Sequence, residues 1–170
     1  MGVSGCGKTT LGKVIAKYFD FIFLDADSFH TKEAITKMSE GIPLTDEQRA
    51  PWIARICKEL SHFDGKNKSC VLAYSGLKQQ HRELIFASYH HTVGIFLNAG
   101  QALTARRLEA RAGHFMSPKL LNSQIASMEP INASTDENIE LLSLNASRAI
   151  ADLLLESISG INSLVAIKNQ

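Results

Sequence analysis

Short apolar runs alternate along this chain with longer stretches of helical spacing. Phe21–Leu24, Ser69–Tyr74 and Val93–Leu97 read as buried strands, and Glu140–Leu144 as a weaker fourth. Helices are expected over Thr9–Tyr18, Trp52–Leu60, Gln79–Phe86 and Gln101–Arg111, then after Pro118 and over Ser147–Ser157. In the first of these, Leu11, Val14, Ile15 and Tyr18 form one apolar stripe. Thr45-Asp46-Glu47-Gln48 has the form of a capping box, while Pro51 suggests that the regular helix restarts at that point. The residues after Leu164 read as a loose tail. Strands and helices in this alternation predict an α/β fold, a parallel sheet flanked by helices. With no repeat or low-complexity tract to divide its 170 residues, the chain reads as a single domain, 1–170.

Composition removes several classes of function. A formal net charge of +1 gives no electrostatic reason to invoke nucleic acid or an anionic membrane. No apolar run is long enough for a membrane span, and no signal segment opens the chain. Three cysteines, Cys6, Cys57 and Cys70, are odd in number and widely spaced, which fits free thiols in a reducing, cytoplasmic setting.

The densest chemistry lies at the start. Gly2-Val3-Ser4-Gly5-Cys6-Gly7-Lys8-Thr9 has the spacing G-x-x-x-x-G-K-[ST] of a phosphate-binding loop. Its glycines let successive backbone N–H groups face inward as an anion nest, Lys8 reaches the β- and γ-phosphates, and the Thr9 hydroxyl ligates Mg²⁺. The helix that follows, through Thr10, adds its positive end to the same site. Gly2 through Thr10 are therefore the expected ATP-binding residues.

In open parallel sheets, ligands bind beyond the carboxyl ends of the strands. Asp25 and Asp27 follow the first expected strand, and Ser75 and Lys78 the second. Phosphoryl transfer needs positioning and charge neutralisation, so one carboxylate is expected near Mg²⁺ and one near the acceptor hydroxyl. Asp25 is assigned to the metal and Asp27 to the acceptor as orienter or general base, although the spacing alone permits the reverse.

Around these residues run Leu24-Asp25-Ala26-Asp27-Ser28-Phe29-His30, Lys37-Met38, Gly41-Ile42-Pro43-Leu44-Thr45-Asp46, Arg49-Ala50-Pro51-Trp52, Ser75-Gly76-Leu77-Lys78 with Arg82, and Arg111-Ala112-Gly113-His114-Phe115-Met116. In that order, over residues 2 to about 130, the chain resembles the gluconokinases, carbohydrate-acid kinases of the P-loop group. Where family members usually carry Asp-Gly-Asp and His-Pro, this chain has Asp25-Ala26-Asp27 and His30-Thr31. The resemblance implies a fold like that of adenylate kinase and other nucleoside-monophosphate kinases, and ATP- and Mg²⁺-dependent phosphorylation of D-gluconate to 6-phosphogluconate. It carries over His30, Lys37, Arg49, Lys78, Arg82, His114 and Gln124 as candidates for holding the sugar acid. Arg107 and Arg111 become arginines of a lid, about residues 107–127, that closes over the phosphates, with Arg111 catalytic beside Lys8 and Asp27. The family also admits a homodimer. His62, His81, His90 and His91 fall outside these motifs and read as surface residues.

Two other functions compete: a related small-molecule kinase such as shikimate kinase, and an inactive kinase homologue that only binds its ligands. Members of the resembled family place a buried strand before the phosphate loop, in the middle of the sheet. Only Met1 stands there, so the expectation is a sheet lacking its central strand, with Met1 matching an internal residue of a longer product. A 170-residue product is expected to be poorly stable or inactive.

Overall fold

The computed structural model describes residues 1–110, 119–131 and 139–168. Four strands carry the architecture: β1 (Ile22–Asp25), β2 (Cys70–Ala73), β3 (Thr92–Asn98) and β4 (Ile139–Asn145). β1 runs parallel to β2 with Ile22 opposite Cys70 and Asp25 opposite Ala73, and β3 runs parallel to β4 with Thr92 opposite Ile139. Seven helices surround them among the described residues: α1 (Lys8–Phe19), α2 (Lys32–Ser39), α3 (Asp46–Asp64), α4 (Gln79–Phe86), α5 (Gln101–Glu109), α6 (Leu120–Ala126) and α7 (Ile150–Lys168). A 3₁₀ turn, Ala26–Phe29, follows β1 directly. The α/β class and every expected strand are present.

The strands form two parallel pairs rather than one sheet. Main-chain bonds from Met1 and Gly2 join the pairs. The Met1 amino group donates to the Ile95 carbonyl, Leu97 N–H donates to Met1 O at 2.9 Å, and Gly2 N–H donates to Ser75 O at 2.9 Å. The expected loss of a central strand is not confirmed by this arrangement.

Two hydrophobic clusters lie beside the two pairs. Leu11 and Ile15 of α1 meet Leu97, Leu108, Leu144 and Leu153 in one of them. In the other, Trp52, Ile53, Ile56 and Leu60 of α3 pack with Tyr74 and Ile85. α1 buries Leu11, Gly12, Ile15 and Ala16, and Tyr18 is exposed, contrary to the expected stripe. At 100° per residue, Tyr18 projects roughly 90° from the middle of that buried arc. Gly12 brings α1 close to β1, since a Cβ there would stand 2.8 Å from the Phe23 ring.

Three further departures concern helices. α2 was not expected; Thr31 caps it by accepting from the Ala34 N–H. α3 is continuous through Pro51. Its reciprocal capping box at Thr45 and Gln48 starts the helix at Asp46, which puts the proline only in the second turn, where it removes a single hydrogen bond. α7 continues to Lys168, where a loose tail was expected.

Ile56 of α3 is fully buried, in the cluster that holds Leu72, Tyr74 and Ile85. Ile56→Ala should lower the unfolding free energy by about 2–5 kcal/mol, read from the midpoint of urea denaturation.

Candidate active site

The turn before α1 is built on left-handed glycines. Gly2, Gly5 and Gly7 have φ of 137°, 82° and 106°. A Cβ on Gly5 would come within 2.8 Å of the Thr104 carbonyl, so the loop can lie against α5 only without a side chain there. Val3 and Cys6 turn into the core and anchor it. No side chain caps α1 at Gly7, so the first helical N–H groups face the loop's concavity. Lys8 Nζ folds back to donate to Gly2 O and Val3 O, at 2.9 and 3.0 Å.

At the end of β1, Asp25 joins the loop to the next segment. Its Oδ2 accepts from Thr9 Oγ1 at 3.3 Å, and its Oδ1 accepts from the Asp27 N–H at 3.1 Å. A hydroxyl and a carboxylate side by side are hard oxygen donors of the kind Mg²⁺ takes, and the pair Thr9 and Asp25 fits that ion. Among the described residues no larger cluster of His, Cys, Asp or Glu could hold a metal.

α3 fixes the segment after Asp25. Trp52 Nε1 donates to Ala26 O at 2.7 Å and Arg55 Nε donates to Phe29 O at 2.8 Å, so the turn bearing Asp27 is tied at both ends. The His30 ring lies flat on the Trp52 indole, centroids 4.4 Å apart and planes 12° from parallel. Burial pushes the imidazole down to about 4, against the raising effect of Asp27 and with smaller lowering effects of Arg55 and Arg49. His30 is therefore neutral at physiological pH.

One cavity gathers most of the residues expected to act together. Ser4, Lys8 and Asp27 line it, with His30 and Arg49 from the α3 side, Lys78 at the start of α4, and Gln124 of α6. Met38, Pro43 and Leu44 give it an apolar wall. Lys78 Nζ and Arg49 Nη1 both bond to Asp46, at 2.8 and 3.3 Å, so one carboxylate holds two cations at the rim. Gln124 Oε1 accepts from the Ser4 N–H at 2.8 Å, which docks α6 on the phosphate loop.

Other expected residues lie elsewhere. Lys37, in the last turn of α2, does not line the cavity. Arg82 is buried and donates to the carbonyls of Gly76, Leu77 and Pro130, which makes it a brace for the turn after β2. Arg107 donates to Cys6 O at 3.2 Å and Ala146 O at 3.1 Å, clasping the back of the phosphate loop to the end of β4. Arg111 and His114 lie outside the described residues, as does part of the expected lid. His81, expected at the surface, is buried and lines the cavity. Its place in the first turn of the helix that follows Lys78 is the signal that would have found it. Tyr74, Ser75, Leu77, Leu120 and Ser123 also line the cavity and had no assigned role.

The family model for shikimate kinase matches residues 4–158. A thermosensitive gluconokinase of Escherichia coli K12 is 36% identical over 141 residues, covering 83% of this chain and 75% of the relative. Among solved structures, an unliganded sugar kinase from a Janibacter species superposes with a TM-score of 0.87 at 30% identity, over 95% of this chain and 91% of the other. A gluconokinase from Sinorhizobium meliloti 1021 gives 0.77 at 32% identity, over 96% and 90%.

Trp52 is the only tryptophan of the chain and reports directly on His30. Its fluorescence should be flat from pH 8 to about 6 and change only as His30 protonates near pH 4; a midpoint near 6.5 would mean a ring open to water. The unfolded chain takes up this proton first, at about 6.5. The stability gained by burying the neutral ring is therefore complete above that pH and lost as the pH falls toward about 4.

Proposed function

The chain belongs to the gluconokinase family, within the wider group described by the shikimate kinase model, and we propose that it transfers the γ-phosphoryl group of ATP to D-gluconate, giving 6-phosphogluconate. The observation that carries this reading is the single cavity that runs from Lys8 and Asp27 to the cations Arg49 and Lys78. An open-chain sugar acid has the same polarity, with a hydroxyl to be phosphorylated at one end and a carboxylate at the other.

The roles follow from the chemistry of each group. Lys8 exchanges the Gly2 and Val3 carbonyls for phosphate oxygens, and the free N–H groups at the start of α1 take the remaining anionic oxygens. Asp27, beyond the end of β1, accepts the proton of the acceptor hydroxyl or orients that hydroxyl in line with the γ-phosphate. Thr9 and Asp25 would hold Mg²⁺, which neutralises charge on the transferred group. Arg49 and Lys78 take the carboxylate, trading the Asp46 carboxylate for that of the substrate. The apolar wall and α6 keep water from the γ-phosphate. Arg107 and Arg111 are lid residues in this reading, with Arg107 beginning from its clasp on the phosphate loop. Among the described residues no helix is long and apolar enough to cross a membrane, and a cytoplasmic enzyme acting on a small molecule fits that observation.

An ADP-release assay with gluconate and with shikimate in parallel arms tests the reading. Turnover of gluconate in the presence of Mg²⁺, with shikimate inert, is the expected result; the opposite preference, or turnover of neither, would overturn it. Lys8→Ala and Asp27→Asn should each lower kcat by about 10²–10⁴ while the melting temperature stays near that of the parent.

A further inference from the structure

His81 has a position that the roles above leave unused. It is 8% exposed and lines the cavity. It stands in the first turn of α4, three residues after Lys78, the residue that precedes the helix. Its ring makes no hydrogen bond to another described residue, and the residue as a whole is more than nine-tenths buried. The charged groups that reach it are Asp46 and Arg49 of α3, Lys78 at the start of α4, and Glu129 beyond α6. Burial holds the imidazole below its usual range, with Arg49 and Lys78 lowering it further against Asp46 and Glu129. The ring is thus neutral at physiological pH and offers one N–H donor and one nitrogen acceptor.

We propose that His81 contacts the acceptor substrate at the hydroxyl nearest its carboxylate and determines specificity there, an inference that rests on the sugar-acid kinase reading above. A hydroxyl both donates and accepts, as a neutral imidazole does. A third cation beside Arg49 and Lys78 would bind the carboxylate more tightly but would read nothing of the carbon chain. A neutral ring in the same cluster discriminates by stereochemistry, because a buried donor or acceptor left unpaired by the wrong epimer costs binding energy.

The test is steady-state kinetics of the wild type, His81→Leu and His81→Gln with gluconate and with its epimer at the carbon next to the carboxylate. His81→Leu should raise KM for gluconate about tenfold, leave kcat and KM for ATP within about threefold, and shrink the preference between the epimers. His81→Gln, which keeps a donor and an acceptor, should recover most of both. A His81→Leu protein that melts like the wild type and keeps its KM and its epimer preference would overturn the inference. A second readout does not depend on the variants folding: in wild-type protein carrying carbon-13-labelled histidine, saturating gluconate should shift the His81 ring resonance. An unmoved resonance would also overturn it. A wild type inactive with gluconate removes the functional reading and this inference together, whereas an active wild type with an indifferent His81→Leu removes this inference alone.

Discussion

The carboxylate of Asp25 holds the site together. One of its oxygens accepts from Thr9 at the start of α1, and the other accepts from the backbone N–H of Asp27 in the turn after β1. The first bond ties it to the phosphate loop and the second to the turn bearing Asp27, so one side chain sets the separation of these two segments. Charge-assisted bonds of this kind are stronger than neutral ones and geometrically demanding. Asp25 has little freedom of its own, because it ends a strand paired with β2 and opens the 3₁₀ turn. Proximity catalysis depends on such rigidity, since an error of about 1 Å in placement can cost about 10²-fold in rate.

Asp25 cannot hold the turn alone, and α3 supplies the other constraint. Trp52 and Arg55, three residues apart on one helical face, each donate to a carbonyl of the turn, at Ala26 and Phe29. Both donors come from large side chains whose apolar or aliphatic parts pack while their N–H groups bond, so packing and polar satisfaction fix the same geometry. The stacked His30 extends the arrangement into the cavity. α3 can do this because it starts at Asp46: the capping box orients its first turn, and that same turn brings Asp46 and Arg49 to the rim beside Lys78. A local sequence signal thus positions both the turn bearing Asp27 and the cations at the far end.

Much of this was legible in the chain, for identifiable reasons. The phosphate loop declares itself because left-handed turns require glycine at fixed intervals, and strand ends can be located because apolar runs stop at Asp25 and Ser75. α2 was hidden because Lys32–Ser39 has only Ile35 and Met38 as large apolar positions, too few to show a period. Pro51 misled because its helix-breaking tendency is a local average, while the cap at Thr45 and the burial of Trp52 and Ile53 act on the same segment with larger effect. His81 was passed over because a histidine outside any motif carries no mark of burial; only the docking of α4 on α3 encloses it. Tyr18 shows the converse, a large apolar residue at helical spacing that the fold leaves in water.

The arginines show most clearly where sequence reading stops. Arg49, Arg82 and Arg107 are equivalent on paper, each a cation within or near a kinase motif. Their partners separate them. Arg82 and Arg107 donate to main-chain carbonyls that other elements hold in place. Stranding a buried carbonyl costs about 1–3 kcal/mol, so Arg82 braces the turn after β2, while Arg107 holds the phosphate loop with bonds whose loss a closing lid would have to offset. Arg49 bonds instead to Asp46, a half-exposed carboxylate that water can solvate in its place. In the proposed reading, replacing that partner with a substrate carboxylate exchanges one ion pair for another at little net cost. The distinction between a bracing and a binding arginine therefore lies in what its partner can do without it, a property of the fold that no motif encodes.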